Sequence, residues 1–360
     1  MISDSRELMR KSEHLDIVLN DDVAFCQRHL LDDVKLLHDA LCSLKFDRLD
    51  TSVSFFGKIL AAPLMITSMT GGAELSGDIN AGLARSAAAS GIAFAVGSQR
   101  IMLKHPETTA HFEVRRHIPD GVLLGNIGVT LLDQYPLERV AGLAEIIEAD
   151  GLCIHLNPAQ ELVQERGERD FSGALDNIAR LMDRLDGRIL VKETGAGLSP
   201  GVLKKLAAIG VPYIDVAGAG GTSWTKVESL RVRTEMLKHA GRIYSEWGIP
   251  TAVCVHAASR IMPAGTVVIA SGGIRSGLDC GRAIALGAGL AGFARPVLQA
   301  FMAGGEIAAI RFIQSMIYEL KTAMMLTGSC DLAALKKAPR ILTGQLSEWI
   351  NGLEIIQKDL

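Results

Sequence analysis

The 360-residue sequence lacks the features that mark several large classes of protein. Net charge is almost absent: 37 Lys and Arg against 40 Asp and Glu leave −3 at pH 7, which argues against bulk binding to nucleic acid. Cysteine is sparse and dispersed. The six (Cys26, Cys42, Cys153, Cys254, Cys280 and Cys330) form no Cys-x-x-Cys pair and read as reduced, mostly buried thiols of a cytosolic protein. Cys153 and Cys280 read as packing residues rather than nucleophiles. Met1 to Asn20 is polar and charged, the wrong composition for a signal peptide or a transmembrane segment. Low-complexity segments are missing, and the one repeat is an alternation of strands and helices. A soluble cytoplasmic protein with no nucleic-acid or membrane partner is expected.

What the chain does have is apolar content. With 48% hydrophobic residues and 37 Gly it can build one large core, and an α/β barrel of this length can be a single domain. Candidate strands fall at Leu64–Thr67, Ala93–Val96, Val122–Gly125, Leu152–Leu156, Ile189–Lys192, Tyr213–Val216, Val267–Ala270 and Gly292–Ala294. Between them Ala, Leu and Ile recur at helical spacing, as in Val140 to Glu148 and Ala174 to Leu185. Eight strands alternating with helices predict an α/β fold, a (β/α)8 TIM barrel over residues 61–330. A doubly wound open sheet is the alternative, with fewer strands. Residues 1–60 break the alternation and read as an extension across one barrel end. Within them Leu30 to Ala40 could be helical, and Ser52 to Lys58 looks like a hairpin arm. Ile307 to Leu326 reads as a closing helix, and residues 331–360 as a C-terminal helical tail.

The most informative stretch is Val267 to Gly277, a β-branched run that ends in Ser271-Gly272-Gly273 before an Ala-rich helix. A strand passing through glycines into a helix start gathers backbone N–H groups that suit a phosphate. A second strand ends at Ala294-Arg295, so two consecutive turns offer phosphate donors, as the last two strands of such a barrel would. Taken alone, a tight Gly-Gly turn with no ligand is an equal reading.

Residues following barrel strands line the catalytic face. Here they are Thr67-Ser68-Met69-Thr70-Gly71-Gly72, Ser98-Gln99-Arg100, Asn126, His155 to Glu161, Lys192-Glu193, Gly218 to Thr222 with Trp224, Ser271-Gly272-Gly273 and Ala294-Arg295. Such a rim suits something large, polar and anionic. Lys192 ends an apolar strand and needs an anionic partner. Either Asp215 or an electron-rich cofactor ring could serve; Glu193 should point to the opposite face. Glu161 could hold Mg²⁺ completed by water and phosphate oxygens, or simply favour the first turn of a helix. His155 could be a satisfied core histidine, a reading weakened by Asn157 and Gln160 nearby. Arg10-Lys11 alone reads as solvated charge on a mobile terminus.

The motifs Thr-Ser-Met-Thr-Gly-Gly (67–72), Gly-Ser-Gln-Arg (97–100), Gly-Asn-Ile-Gly (125–128), His-Leu-Asn-Pro-x-Gln-Glu (155–161), Val-Lys-Glu (191–193), Gly-Gly-Thr-x-Trp (220–224) and Ala-Ser-Gly-Gly-Ile-Arg (270–275) occur in that order, after Arg-Lys-x-x-His at 10–14. From Arg10 to about Arg295 the chain resembles the type 2 isopentenyl-diphosphate isomerases. That resemblance implies an FMN-dependent, Mg²⁺-requiring barrel enzyme that interconverts isopentenyl and dimethylallyl diphosphate, commonly as a homotetramer or homo-octamer. NADPH or NADH would reduce the flavin. It also implies that Thr67, Ser68, Met69, Thr70, Ser98, Asn126, Lys192 and Thr222 touch the flavin, and that Gly272, Gly273, Ile274, Arg275, Ala294 and Arg295 hold its phosphate. Arg10, Lys11 and Arg100 would bind the substrate diphosphate, with His14, Ser98, Gln99 and Trp224 around the substrate and Glu161 on Mg²⁺. His155, Asn157 and Gln160 would face the allylic end and, with Lys192, form the catalytic set. Arg10-Lys11 becomes a lid in this reading.

The reaction is a 1,3-proton shift on an unactivated alkene. The rim offers no strong acid–base pair, which favours reduced flavin as the proton carrier. Competing readings are an FMN-dependent 2-hydroxy-acid oxidase or dehydrogenase and a non-catalytic phosphate-binding barrel.

Overall fold

The computed structural model describes residues 2–69 and 74–359. Twelve strands are formed among them: β1 (Val34–Leu36), β2 (Val53–Phe55), β3 (Lys58–Leu60), β4 (Leu64–Ile66), β5 (Ala93–Ala95), β6 (Leu123–Gly128), β7 (Gly151–Leu156), β8 (Ile189–Glu193), β9 (Tyr213–Asp215), β10 (Val267–Ala270), β11 (Leu290–Phe293) and β12 (Arg340–Leu342). Strands β4 to β11 close an all-parallel barrel in the order β10-β11-β4-β5-β6-β7-β8-β9. The expected fold and all eight barrel strands are therefore present, with shifts at the ends of the kind that strand fraying produces.

Alternation along each strand sorts the core into two shells. Leu64, Ile66, Leu152, Ile154, Ile189, Val191 and Ile214 face the surrounding helices. Met65, Leu124, Cys153, Leu190, Ile269 and Leu290 fill the interior. The hairpin β2–β3 seals the end from which the strands start. Phe55 and Leu60 join the interior cluster, and Phe56 stacks on Tyr213 with ring centroids 4.0 Å apart.

Three local expectations change. Leu30 to Ala40 is not helical beyond a single turn at Leu31–Asp33. Val34-Lys35-Leu36 instead pairs antiparallel with Leu342-Ile341-Arg340, a partner that no local window contains. The C-terminal segment is thus no free tail; with the N-terminal extension it makes a two-stranded clasp, and Leu346 of its last helix is fully buried. Between β5 and β6 the connection is three 3₁₀ turns rather than an α-helix. The expected closing helix is longer, Arg295–Leu326, and bends at Gly304 and Gly305. By length and composition alone it could cross a membrane, yet it packs along the helices Glu74–Ser90 and Gly277–Leu286.

Removing residues 340–360 should leave every barrel strand in place but strip β1 of its partner and uncover the surface that Leu346 and Ile350 bury. Two such side chains contribute roughly 3–6 kcal/mol together at ~1.5–3 each. Urea unfolding should show a loss of that order. A truncated chain as stable as the full one would mean the clasp adds nothing.

Candidate active site

One polar residue follows the last interior apolar residue on most barrel strands, two positions on and therefore on the same face. Met65 is followed by Thr67, Leu124 by Asn126, Cys153 by His155, Leu190 by Lys192, Tyr213 by Asp215 and Ile269 by Ser271. All of these polar groups but Asp215, which lies behind the lining, floor a cavity of ≈ 550 Å³, within the range of small-molecule and cofactor sites. The cavity is lined by Lys11, His14, Thr67, Ser68, Met69, Ser98, Arg100, Asn126, His155, Asn157, Gln160, Glu161, Lys192, Thr222 and Trp224. Gly272, Gly273, Ile274, Arg275, Ala294 and Arg295 line it as well. Thr70, Gly71 and Gly72 lie outside the described residues. Arg10 lies on the N-terminal helix, but its side chain falls outside them too.

At one end, the turn after β10 is built from glycines for a steric reason. Gly272 and Gly273 have φ of 98° and 89°, and a Cβ on Gly221 would stand 2.7 Å from the Gly273 nitrogen. Thr251 Oγ1 donates to the carbonyl of Gly272 at 2.6 Å. The N–H of Gly273, antiparallel to that carbonyl across the peptide plane, is thereby aimed away from Thr251. The helix that follows differs from the expectation. It starts only at Gly277 and is closed by a capping box between Ser276 and Asp279, while Gly277 N–H donates to Glu319. The helix starting at Arg295 carries no side-chain cap, and Arg295 Nε is buried without a hydrogen-bond partner among the described residues. The helix at Gly277 is thus capped by the chain itself, whereas the helix start at Arg295 has no side-chain cap.

At the floor, Lys192 Nζ donates to the Glu193 carbonyl at 2.5 Å and lies 4.0 Å from Asp215 Oδ2. Of the partners weighed for Lys192, Asp215 is the one seen, and the lysine also lines the cavity. Burial pushes the Asp215 carboxyl up from its ordinary range, and the Lys192 charge opposes that push. The Glu193 carboxylate faces the other way, as strand alternation requires, and accepts the N–H groups of Thr194, Gly195, Ala196 and Gly197. Burial still dominates these bonds and pushes its pKa up to about 7.

His155 Nδ1 lies 3.2 Å from Asn126 Oδ1, which can only accept, so the proton sits on Nδ1 and Nε2 keeps its lone pair. Burial, then the charges of Lys192 and Arg100, hold this histidine down at about 3. It is neutral across the physiological range and cannot act as a charged acid. Gln99, expected beside the substrate, does not reach the cavity. It is fully buried, donates to the Leu143 carbonyl at 2.8 Å and accepts the Asn126 N–H at 2.9 Å. Its place is under Asn126, and through it under His155, because the turn after β5 directs this side chain into the wall.

Of the two readings offered for Glu161, the structure shows the helix-turn one. It sits in the first turn of the helix Pro158–Val163 and lines the cavity. Oε1 accepts from Asn157 Nδ2 at 3.1 Å, and Oε2 accepts the Glu168 N–H at 2.8 Å. No cluster of three or more His, Cys, Asp or Glu suited to a metal occurs among the described residues. A divalent cation on Glu161 would need oxygens from its ligand and from water. Arg100 pairs with Glu168 at 3.2 Å.

The N-terminal segment, expected as an irregular lid, is a helix, Ile2–Asn20. Lys11, His14, Leu15 and Val18 follow the i, i+3, i+4, i+7 rule and put one face on the cavity. That spacing was legible in the sequence. His14 meets Glu228 Oε1 at 2.9 Å and stands edge-on to Trp224. Glu228 is the principal residue missed. Fully buried, it also accepts from Gln160 Nε2 at 3.0 Å and from Arg231 Nε at 2.9 Å. Burial works to raise its pKa, but His14, Arg231 and Gln160 together bring it down to about 2. Nothing in the stretch Val227-Glu228-Ser229 marks it out. The thiols are free, but only Cys153, Cys254 and Cys280 are buried; Cys26 and Cys330 are exposed and Cys42 is half-buried, so the expectation of mostly buried thiols does not hold. Burial pushes the Cys153 thiol up to about 12, in keeping with a packing role.

This geometry is that of a (β/α)8 barrel with a ligand-sized cavity at the ends of its strands. A family model described as FMN-dependent dehydrogenase matches residues 154–341. Solved structures agree on the fold: a mandelate oxidase with an FMN adduct (TM-score 0.63, 16% identity, 94% of this chain and 100% of that one) and a Pediococcus acidilactici protein described as a lactate oxidase (TM-score 0.67, 13% identity, 95% and 94%). Much nearer in sequence are isopentenyl-diphosphate delta-isomerases. That of Methanothrix thermoacetophila is 43% identical (94% of each chain), that of Nostoc sp. 42% (93% of this chain, 96% of the relative), and that of Metallosphaera sedula 40% (95% and 94%). The chain belongs to the FMN-dependent isopentenyl-diphosphate delta-isomerase family.

Glu193 gives a pH test. Its folded pKa, about 7, lies above the ordinary 4.5. Its stabilising contribution is therefore complete below about pH 4.5 and is lost as pH rises through about 7. Glu193→Gln, which keeps the neutral shape, should shrink the fall in urea midpoint between pH 5 and 8. Parallel profiles for variant and wild type would show that the carboxyl titrates as it would in water.

Proposed function

We propose that this chain interconverts isopentenyl and dimethylallyl diphosphate in a cavity shared by FMN, Mg²⁺ and substrate. The observation that carries the reading is a cavity with anion-gripping groups at two separate places and Lys192 at its floor. The glycine loop and Arg295 helix start form one grip, and Lys11 with Arg100 forms the other. Two phosphate-bearing molecules, cofactor and substrate, account for both. The buried orphan atoms fit as well, since among the described residues Arg295 Nε and Asn157 Oδ1 each lack a hydrogen-bond partner, and a ligand would supply one.

In this reading Gly272, Gly273, Ile274 and Arg295 hold the flavin phosphate, while Thr67, Ser68, Met69, Ser98, Asn126 and Thr222 contact its ring system. Lys192 supplies the fixed cation that favours an anionic ring. Flavin reduced by NADPH or NADH supplies a position that can both give and take a proton beside the alkene. Glu161 holds Mg²⁺ against the diphosphate. Neutral His155 and the amides of Asn157 and Gln160 orient the five-carbon chain without competing for charge, and Glu228 fixes Gln160 and His14. The N-terminal helix excludes water from a site where positive charge develops on carbon. A cytoplasmic location and a homotetramer or homo-octamer belong to the same reading.

His155, held down at about 3, is a weak proton acceptor, which argues against hydroxy-acid oxidation by a histidine base. The direct test is turnover of isopentenyl diphosphate by the purified chain with anaerobically reduced FMN and Mg²⁺, and no electron acceptor. Isomerisation without consumption of reductant is expected. A need for an acceptor, or no turnover, would overturn the reading.

Glu161→Gln should raise the Mg²⁺ concentration for half-maximal rate by tenfold or more and raise KM with it, because one carboxylate serves both. Superimposable Mg²⁺ titrations would leave Glu161 only its helix-turn role.

A further inference from the structure

Asp215 is fully buried at the end of β9 and does not line the cavity, yet three elements of the site converge on it. Its Oδ1 accepts the Ser271 hydroxyl at 2.6 Å and the Ala217 N–H at 3.1 Å. Ser271 opens the glycine loop after β10. Ala217 lines the cavity with φ of 37°, a left-handed conformation that costs a non-glycine residue energy unless something holds it. The other oxygen, Oδ2, has no hydrogen-bond partner among the described residues and lies 4.0 Å from Lys192 Nζ. The strand register places Lys192 directly beside Asp215, and Asp215 beside Ile269, two residues before Ser271.

A buried carboxylate oxygen without a donor is costly, and so is a lysine with only 8% of its side chain exposed. Each offsets the other. Resting on the FMN reading above, we propose that Asp215 is a positioning residue for the cofactor. One oxygen supplies the counter-charge that holds the Lys192 ammonium in place at the cavity floor. The other pins the start of the phosphate-binding loop. A single carboxylate thereby couples the grip on the flavin ring to the grip on its phosphate. No group in this account touches substrate; the role is exerted through Lys192 and Ser271.

The test is a double-mutant cycle on FMN binding by the full apo chain, read by quenching of flavin fluorescence. Asp215→Asn keeps an acceptor for Ser271 and Ala217 but turns an amide donor toward the ammonium. In the presence of Lys192 it should weaken FMN binding by about tenfold to hundredfold. In a Lys192→Met background the same change should cost less than about threefold, because the charge it serves has gone. Equal losses in both backgrounds would mean that Asp215 only supports the fold, and no loss in either would mean that it does nothing for the cofactor; both overturn the proposal. If the Asn variant does not fold, Ser271→Ala removes the one hydroxyl joining Asp215 to the loop. It should weaken FMN binding at least threefold, and unchanged binding would overturn the proposal. Failure of the wild-type chain to bind FMN would sink the flavin reading itself, which keeps the two failures apart.

Discussion

The site depends on keeping charge in a place with little water. Eight parallel strands end on one rim, and above the apolar layer every interior position faces its neighbours across the barrel axis. Polar groups there are desolvated whether or not a ligand is present, so each must find a partner or remain costly. The chain meets this constraint in pairs and small groups: Lys192 against Asp215, Asn126 against His155, Glu228 against His14 and Gln160, Glu161 against Asn157 and Glu168. Of the buried polar atoms without a hydrogen-bond partner among the described residues, those on Arg295 and Asn157 belong to residues that line the cavity, and Asp215 Oδ2 faces Lys192. A cavity organised this way is rigid before anything binds, and preorganisation of that kind reduces the cost of holding a developing charge.

The pairing also explains how a site with two histidines, three arginines and several acids in and behind its lining handles protons sparingly. His155 is held neutral by burial and by nearby cations, whereas the Glu228 carboxyl, though buried, is held ionised by three donors. Environments have pushed these groups away from the range where either would exchange a proton easily. What remains is a set of fixed dipoles and fixed charges, suited to orienting a molecule rather than to acid–base work. This is the physical basis for assigning the proton transfers to a cofactor.

The barrel was legible in the sequence because its signal is local: β-branched runs of strand length bounded by Gly, Asn and charged residues. The rim was legible for the same reason, since the residue after a strand is known once the strand is. What escaped were features set by distant partners. Val34 to Leu36 becomes a strand only because Arg340 to Leu342 lies beside it, and Glu228 matters only because two other segments bring His14 and Gln160 to it. Gln99 stood in a motif and on the rim but turned into the wall, where an amide spanning the Asn126 N–H and the Leu143 carbonyl is worth more than one facing water. The N-terminal helix was missed for a different reason. Its charged residues were read as a string, whereas the apolar and functional positions repeat with the period of a helix.

The clasp between β1 and β12 has a bearing on how the molecule comes into being. Asp33 accepts from Thr343, a residue 310 positions later in the chain. On the ribosome, the segment that follows the N-terminal helix therefore waits for its sheet partner until every barrel strand has been made. The loop to be closed is nearly the whole protein, so this junction belongs to the slow, non-local class of contacts. The barrel can assemble around its own core while the ends are still apart. Arg340 to Leu342 fasten the segment that follows the cavity-lining helix, so the anchor of that helix is made after the barrel itself.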